Sequence, residues 1–131
     1  MMLHWLTKQE ILAIHSMQLA WHGGASGVRD EGLLESALAR AQNIASYAEE
    51  TPSLANLAAA YGSGIVRNHP FVDGNKRTAL VTTFTFIERN GFRVTASQHD
   101  AYFAFYDLAA GKLSEEELAR WLEANTEPVS K

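Results

Sequence analysis

Apolar residues recur at intervals of three and four along most of the chain, and polar punctuation cuts that pattern into six blocks. Thr7-Lys-Gln-Glu10 is a capping box ahead of Ile11, Leu12, Ile14, His15 and Leu19, and His22-Gly23-Gly24 closes the block where glycine can turn left-handed. Asp30 is the next N-cap, before a face of Leu33, Leu34, Ala37, Leu38 and Ala41. The polar stretch from Tyr47 to Thr51 reads as a loop. Pro52 or Ser53 then opens a third helix, whose Leu54, Leu57, Ala58, Tyr61 and Ile65 run down to about Arg67. Pro70 and Gly74 break it.

A fourth helix is predicted from about Asn75 to Asn90, with Leu80, Phe84 and Ile87 on one face. Its Val81, Thr82, Thr83 and Thr85 are β-branched and favour strands, but the length and the Asn90-Gly91 stop decide for helix. Phe92 to Thr95 reads as a short extended connector. Ser97-Gln-His-Asp100 opens a fifth helix that stops at Gly111, and Ser114-Glu-Glu-Glu117 is a second capping box, opening a sixth helix toward Asn125. The tail after Pro128 is expected to be loose. With no repeat, linker or low-complexity segment, the pattern predicts an all-α fold. It is read as one compact helical bundle of about six helices, a single domain over residues 1–131 with its core at about 7–125.

Composition narrows the chemistry. The net charge of −4 makes the surface as a whole a poor trap for nucleic acid, so direct nucleic-acid binding is not expected. The absence of cysteine excludes disulfides, thiolate chemistry and Cys-based zinc sites. The start of the chain lacks the basic region of a signal peptide, and no stretch reaches the length of a membrane span. A cytoplasmic protein with no membrane association is the expectation.

One segment is too polar to be a plain connector: Arg67-Asn-His-Pro-Phe-Val-Asp-Gly-Asn-Lys-Arg-Thr78, between two mainly apolar helices. Gly74 permits a tight turn directly before a helix, and the first turn of that helix offers N–H groups with no internal acceptor. Such an end attracts anions. Lys76 and Arg77 oppose the helix dipole there, which makes sense with an anion between them, and Arg67 approaches from the preceding helix as a further ligand contact or as half of a salt bridge. A phosphate is the natural ligand. Asp73 beside it is a candidate magnesium ligand, because that ion binds through one or two carboxylates plus substrate phosphates. His69 is placed to swing an imidazole over the same pocket as a general base. Phe71 between them reads as an apolar peg. The group suggests phosphoryl or nucleotidyl transfer to a hydroxyl. The common glycine-rich phosphate loops and the H-E-x-x-H zinc motif are absent.

His69, Phe71, Asp73, Asn75 and Arg77 match all five spaced identities of the signature loop of the Fic/Doc family, which this segment resembles. The run Lys76-Arg77-Thr78-Ala79 is similar to the Doc branch, as are Gly27-Val-Arg-Asp30 and Leu33-Leu34-x-Ser36-Ala37, so the resemblance spans about Thr7 to Asn125. It implies a small helical bundle in which His69 is the base and Asp73 holds Mg2+. Gly74, Asn75 and Lys76 would cradle the phosphates of ATP, with Arg77 as a further contact.

The AMP-transferring Fic branch carries Gly after the Asn and a second Arg three residues beyond the first, where this chain has Lys76 and Leu80. The resemblance therefore implies a toxin that passes the terminal phosphate of ATP to a protein hydroxyl, a threonine of elongation factor Tu in the Doc branch, and so blocks translation. A Fic-type AMP transferase and a non-enzymatic antitoxin-binding module are the alternatives. The inhibitory helix of many Fic proteins reads Ser or Thr, three residues, Glu, then Gly or Asn, and it does not occur here; Ser46-Tyr-Ala-Glu-Glu50 comes nearest but continues with Thr51. The resemblance then implies a separate small antitoxin bound in a surface groove.

The remaining histidines and tryptophans carry plainer expectations. His15 lies on the apolar side of the first helix and reads as a core or boundary residue. His4, His22 and His99 read as surface or capping groups, and Trp5, Trp21 and Trp121 as core.

Overall fold

In the computed structural model, which describes residues 2–129, the helix that organises the chain is the third one in sequence order. Six helices are present: α1 (Lys8–His22), α2 (Glu31–Tyr47), α3 (Leu54–Asn68), α4 (Asn75–Arg89), α5 (Gln98–Ala109) and α6 (Glu115–Ala124). Every residue of α3 from Leu57 to Ile65 is buried, and the helix packs against α2, α4, α5 and α6. A helix apolar on all sides belongs in the centre, and the Ala58-Ala59-Ala60 and Gly62-Ser63-Gly64 runs let neighbours come close. A Cβ built on Gly62 would lie 2.6 Å from Thr83 Oγ1 of α4 and 3.0 Å from the Phe105 ring of α5.

Both predicted capping boxes form, on Thr7 and Ser114, and Asp30, Ser53 and Ser97 cap α2, α3 and α5. The short polar side chains satisfy first-turn N–H groups that the helix itself leaves unpaired.

The buried face of α4 differs from the predicted one. Ile87 is buried, but Leu80 and Phe84 are only half-buried, and the interior side is Thr78, Ala79, Thr82, Thr83 and Phe86. The small threonines fit the narrow gap against α3. Thr83 disposes of its hydroxyl by donating to Ala79 O at 2.7 Å, whereas the Thr78 and Thr82 hydroxyls have no partner among the described residues. Phe86 is sandwiched by Tyr61 (4.9 Å between centroids) and Trp5 (5.7 Å), and the Tyr61 hydroxyl accepts from Leu6 N at 3.2 Å, which pins the segment before α1. Trp5 and Trp121 are half-buried against the core, but Trp21, expected inside, is 68% exposed on the last turn of α1.

The all-α expectation holds with one addition. The extended stretch after α4 is a strand, β1 (Phe92–Val94), paired antiparallel with β2 (Thr126–Pro128) just after α6. Arg93 and Glu127 face each other across the pair and form an ion pair, with Arg93 Nε 2.7 Å from Glu127 Oε1. Val129, expected to be loose, donates its N–H to Gly91 O at 3.0 Å, while residues 130–131 of that tail lie outside the described residues. No helix among the described residues is long and apolar enough to cross a membrane.

Gly62→Ala tests the packing at the centre: the added methyl collides with Thr83 and Phe105, and the substitution is expected to cost about 1–3 kcal/mol in urea unfolding.

Candidate active site

The site is built where α3 stops and α4 starts. His69 is the C-cap of α3 in the left-handed conformation (φ 50°, ψ 54°), the one non-glycine residue with positive φ among the described residues. That conformation costs on the order of 1–2 kcal/mol. Pro70 forbids helical continuation at His69, and the main chain around it is held from outside. Arg29 Nε donates to His69 O at 2.7 Å and Arg29 Nη2 to Asn68 O at 2.9 Å, while Asn68 Nδ2 donates to Leu33 O at 2.9 Å. Pro70 O accepts from the N–H groups of Arg29 (2.6 Å) and Asp30 (3.1 Å), and Val72 N donates to Gly27 O at 3.0 Å. Residues 27–30 thus act as a strap across the loop, with Val28 bridged to Phe71.

Beneath the strap, Phe71 is fully buried, as its reading as a peg required. Its ring stacks on His15 with centroids 3.8 Å apart and planes 9° from parallel. His15 Nε2 lies 2.8 Å from Asp73 O, and because a carbonyl can only accept, Nε2 carries the proton. The buried carboxamide of Asn75 completes the lock: its Oδ1 accepts from Phe71 N at 3.0 Å and its Nδ2 donates to Phe71 O at 2.9 Å. The Asn75 side chain is therefore spent on the loop itself, and what it can offer an anion is its main-chain N–H.

Gly74 (φ 77°, ψ 15°) is the N-cap of α4 and brings no side-chain acceptor to it. The first-turn amides of Asn75, Lys76 and Arg77 have no side-chain cap, an arrangement suited to an anion. Asp73 stands beside them, exposed, its Oδ2 accepting from Ala25 N at 3.2 Å and its Oδ1 from Gly74 N at 2.8 Å. The Ala25 N–H, then the Gly74 N–H and the nearby Arg77 charge, hold its carboxyl below the usual carboxylate range.

A hollow of about 470 Å³ collects His69, Asp73, Gly74, Asn75, Lys76 and Arg77 on one side and Tyr102 and Ala109 of α5 on the other. Lys76 Nζ lies over the rings of Tyr106 (4.6 Å to the centroid) and Tyr102 (5.7 Å). Arg67 stands apart from this group. It points to Glu115 Oε1 at 3.8 Å, a carboxylate that also pairs with Arg40, and lines a neighbouring hollow at the start of α6. Of its two readings from sequence, the salt bridge describes where it lies.

The described residues contain no group of three or more acidic or imidazole side chains that could enclose a metal, and Asp73 is the one carboxylate lining this hollow. The donor set fits a hard divalent ion that takes its other ligands from a phosphate chain and water.

Five residues that shape the site were not assigned that part from sequence. Arg29 and the amide of Ala25 lie some forty residues from what they hold, and nothing local marks that partnership. His15 was read as a core or boundary residue, which it is, at 5% exposure, but its bond to Asp73 gives it a part in the loop. Tyr102 and Tyr106 sit at i and i+4 on α5, and that spacing marks a shared face without marking what lies under it.

The model of the Fic/DOC family matches residues 5–87 of this chain. Toxin Doc of Mycolicibacterium smegmatis is 39% identical over 95 residues, covering 72% of this chain and 71% of that protein. Protein kinase doc of Escherichia phage P1 is 36% identical over 89 residues, covering 68% of this chain and 70% of that protein.

Two measurements test the loop. Asn75→Ala leaves the buried Phe71 N–H and C=O unpaired and is expected to cost about 1–3 kcal/mol of unfolding free energy, with faster amide exchange at Phe71. Asp73 has a folded-state pKa below its unfolded value, so its contribution to stability is complete above the ordinary carboxylate range and disappears as pH falls through the lowered value. A carboxyl NMR titration should place Asp73 below a model aspartate, and Asp73→Asn should flatten that part of the acid limb of stability.

Proposed function

The chain belongs to the Fic/DOC family, and from that premise we propose that it is a Doc-like toxin which transfers the terminal phosphate of ATP to a hydroxyl of a protein target. The target implied by the resemblance is a threonine of elongation factor Tu, which would set the activity in the cytoplasm and block translation there.

The observation that carries the reading is the convergence of the His69 imidazole, the Asp73 carboxylate and the uncapped, doubly cationic start of α4 on one hollow. The target hydroxyl attacks the terminal phosphorus, its proton passes to His69, the new O–P bond forms as the bond to the bridging oxygen breaks, and ADP leaves. Charge on the transferring group spreads over its outer oxygens, and the main-chain N–H groups of Asn75, Lys76 and Arg77 with the two cationic side chains are the donors that meet it. Asp73 would hold Mg2+, which when bound offsets phosphate charge. The absence of an Arg at position 80 also favours phosphate over AMP transfer: Leu80 lines the neighbouring apolar groove, so the grip on phosphates falls to Lys76 and Arg77.

That groove, about 720 Å³, supports the partner reading. It runs between the end of α1, α4 and the start of α5, is lined by Leu80, Val81, Phe84, Val94 and Ala101, and meets the phosphate hollow at Arg77 and Tyr102. Its shape suits an amphipathic helical segment laid along it. A small antitoxin bound there would lie across the mouth of the site.

The test is intact-mass analysis of purified elongation factor Tu after incubation with this protein, ATP and magnesium. The expected gain is one phosphoryl group, abolished or cut by about 10²–10⁴-fold in rate in His69→Ala. A gain of one AMP would replace phosphate transfer by AMP transfer, and no gain would remove elongation factor Tu as the target.

A further inference from the structure

Lys76 is held by two tyrosines rather than by a carboxylate. Among the described residues it forms no ion pair; its ammonium instead lies 4.6 Å from the Tyr106 centroid and 5.7 Å from that of Tyr102, one helical turn apart on α5. The two ring centroids are 6.4 Å apart at 37°, so they form a shallow bracket. Tyr102 is steadied on its other side by Phe103, edge-on at 6.1 Å, and Phe103 in turn meets His99 at 4.7 Å. Both tyrosines are nearly half exposed, at 43% and 46%, although rings of this size on a helix face are usually turned inward. Their hydroxyls make no hydrogen bond among the described residues. Neither the core nor a polar partner accounts for their place, and the lysine beneath them does.

We infer that Tyr102 and Tyr106 are positioning residues that hold the Lys76 ammonium at the rim of the phosphate hollow before an anion arrives. The inference rests on the phosphate-binding reading of Lys76 under the proposed function. A lysine on a free stem carries rotamer entropy that is lost when the side chain is fixed on a ligand. A cation on aromatic faces has already given up part of that freedom, and the attraction of the ring quadrupole leaves the charge of the ammonium intact. The ammonium has three donors, and the rings cover it from the α5 side only, which leaves N–H groups for a phosphate oxygen on the hollow side. A carboxylate in the same place would fix the side chain too, but it would neutralise the charge and repel the ligand. An aromatic bracket orders the lysine without that cost.

The experiment is a titration of MgATP into the full chain by calorimetry, without a protein target, for wild type, Lys76→Met, Tyr102→Leu with Tyr106→Leu, Tyr102→Phe with Tyr106→Phe, and each tyrosine pair combined with Lys76→Met. The leucine pair is expected to weaken binding roughly fivefold. The phenylalanine pair keeps the ring faces and should bind as wild type does. In the Lys76→Met background both pairs should be silent, because the charge they hold is gone. Unchanged or tighter binding by the leucine pair overturns the inference, as does an equal loss with and without Lys76, which would make the rings direct ligands of the nucleotide. If Lys76→Met alone binds MgATP as wild type does, the phosphate role of Lys76 fails, and the bracket fails with it. If Lys76→Met weakens binding and the leucine pair does not, only the bracket fails. Unchanged urea midpoints in the tyrosine variants separate these outcomes from damage to the fold.

Discussion

Two hydrogen bonds from one buried carboxamide determine what the rest of the site can do. Asn75 joins its own helix to the main chain of Phe71 four residues back, satisfying a buried N–H and a buried C=O together. With those groups paired inside, the loop can turn its remaining polar atoms outward. His69 keeps a left-handed backbone, Asp73 stays at the surface, and α4 begins without a cap. An isolated loop would not hold this arrangement, because the left-handed backbone of His69 is unfavourable by itself. The strap of residues 27–30 and the Phe71–His15 stack determine it from two further directions.

The interior supplies the rigidity behind the loop. Strain and unsatisfied helix ends are kept only where surrounding packing leaves no easier conformation. Here α3 is buried along its central nine residues and approached closely at Gly62, so its last turn is a fixed platform for His69. The threonines of α4 serve the same end. They are poor helix formers in isolation, yet they are buried, Thr83 directly against Gly62 of α3, and the two helices bring Lys76, Arg77 and His69 to one hollow. The polar cost of that choice is visible in the partnerless hydroxyls of Thr78 and Thr82.

What could be read from sequence followed the range of each signal. Capping residues act within one turn, so the starts of five helices at Thr7, Asp30, Ser53, Ser97 and Ser114 were legible, as was the run of chemistry from His69 to Arg77. Partnerships between distant segments were not. Nothing near Phe92 announces Thr126, and nothing near Arg29 announces the carbonyl of His69. The interior face of α4 was misread because hydrophobicity was taken as the guide to burial, whereas the buried side carries Thr78, Thr82 and Thr83 beside Phe86 and Ile87. Trp21 failed for another reason: helical spacing marks a face without showing whether another element covers it, and Trp21 lies 68% exposed on the last turn of α1. Asn75 shows the limit at the site itself, since a motif position marks a residue as required without telling whether its side chain serves the ligand or the loop.

The start of α4 has a reach beyond contact distance. The chain as a whole is acidic, with a net charge of −4, while the hollow gathers Lys76, Arg77 and the positive end of a helix. An anion diffusing nearby is repelled by the net charge of the chain and attracted by this cluster, so the local field favours encounter there before any hydrogen bond forms. Arrival of a nucleotide is then a property of ionic strength as well as of shape. Screening shortens the Debye length to about 8 Å at physiological salt, which confines the capture zone to the mouth of the hollow and makes salt a control on encounter that leaves the bound geometry untouched.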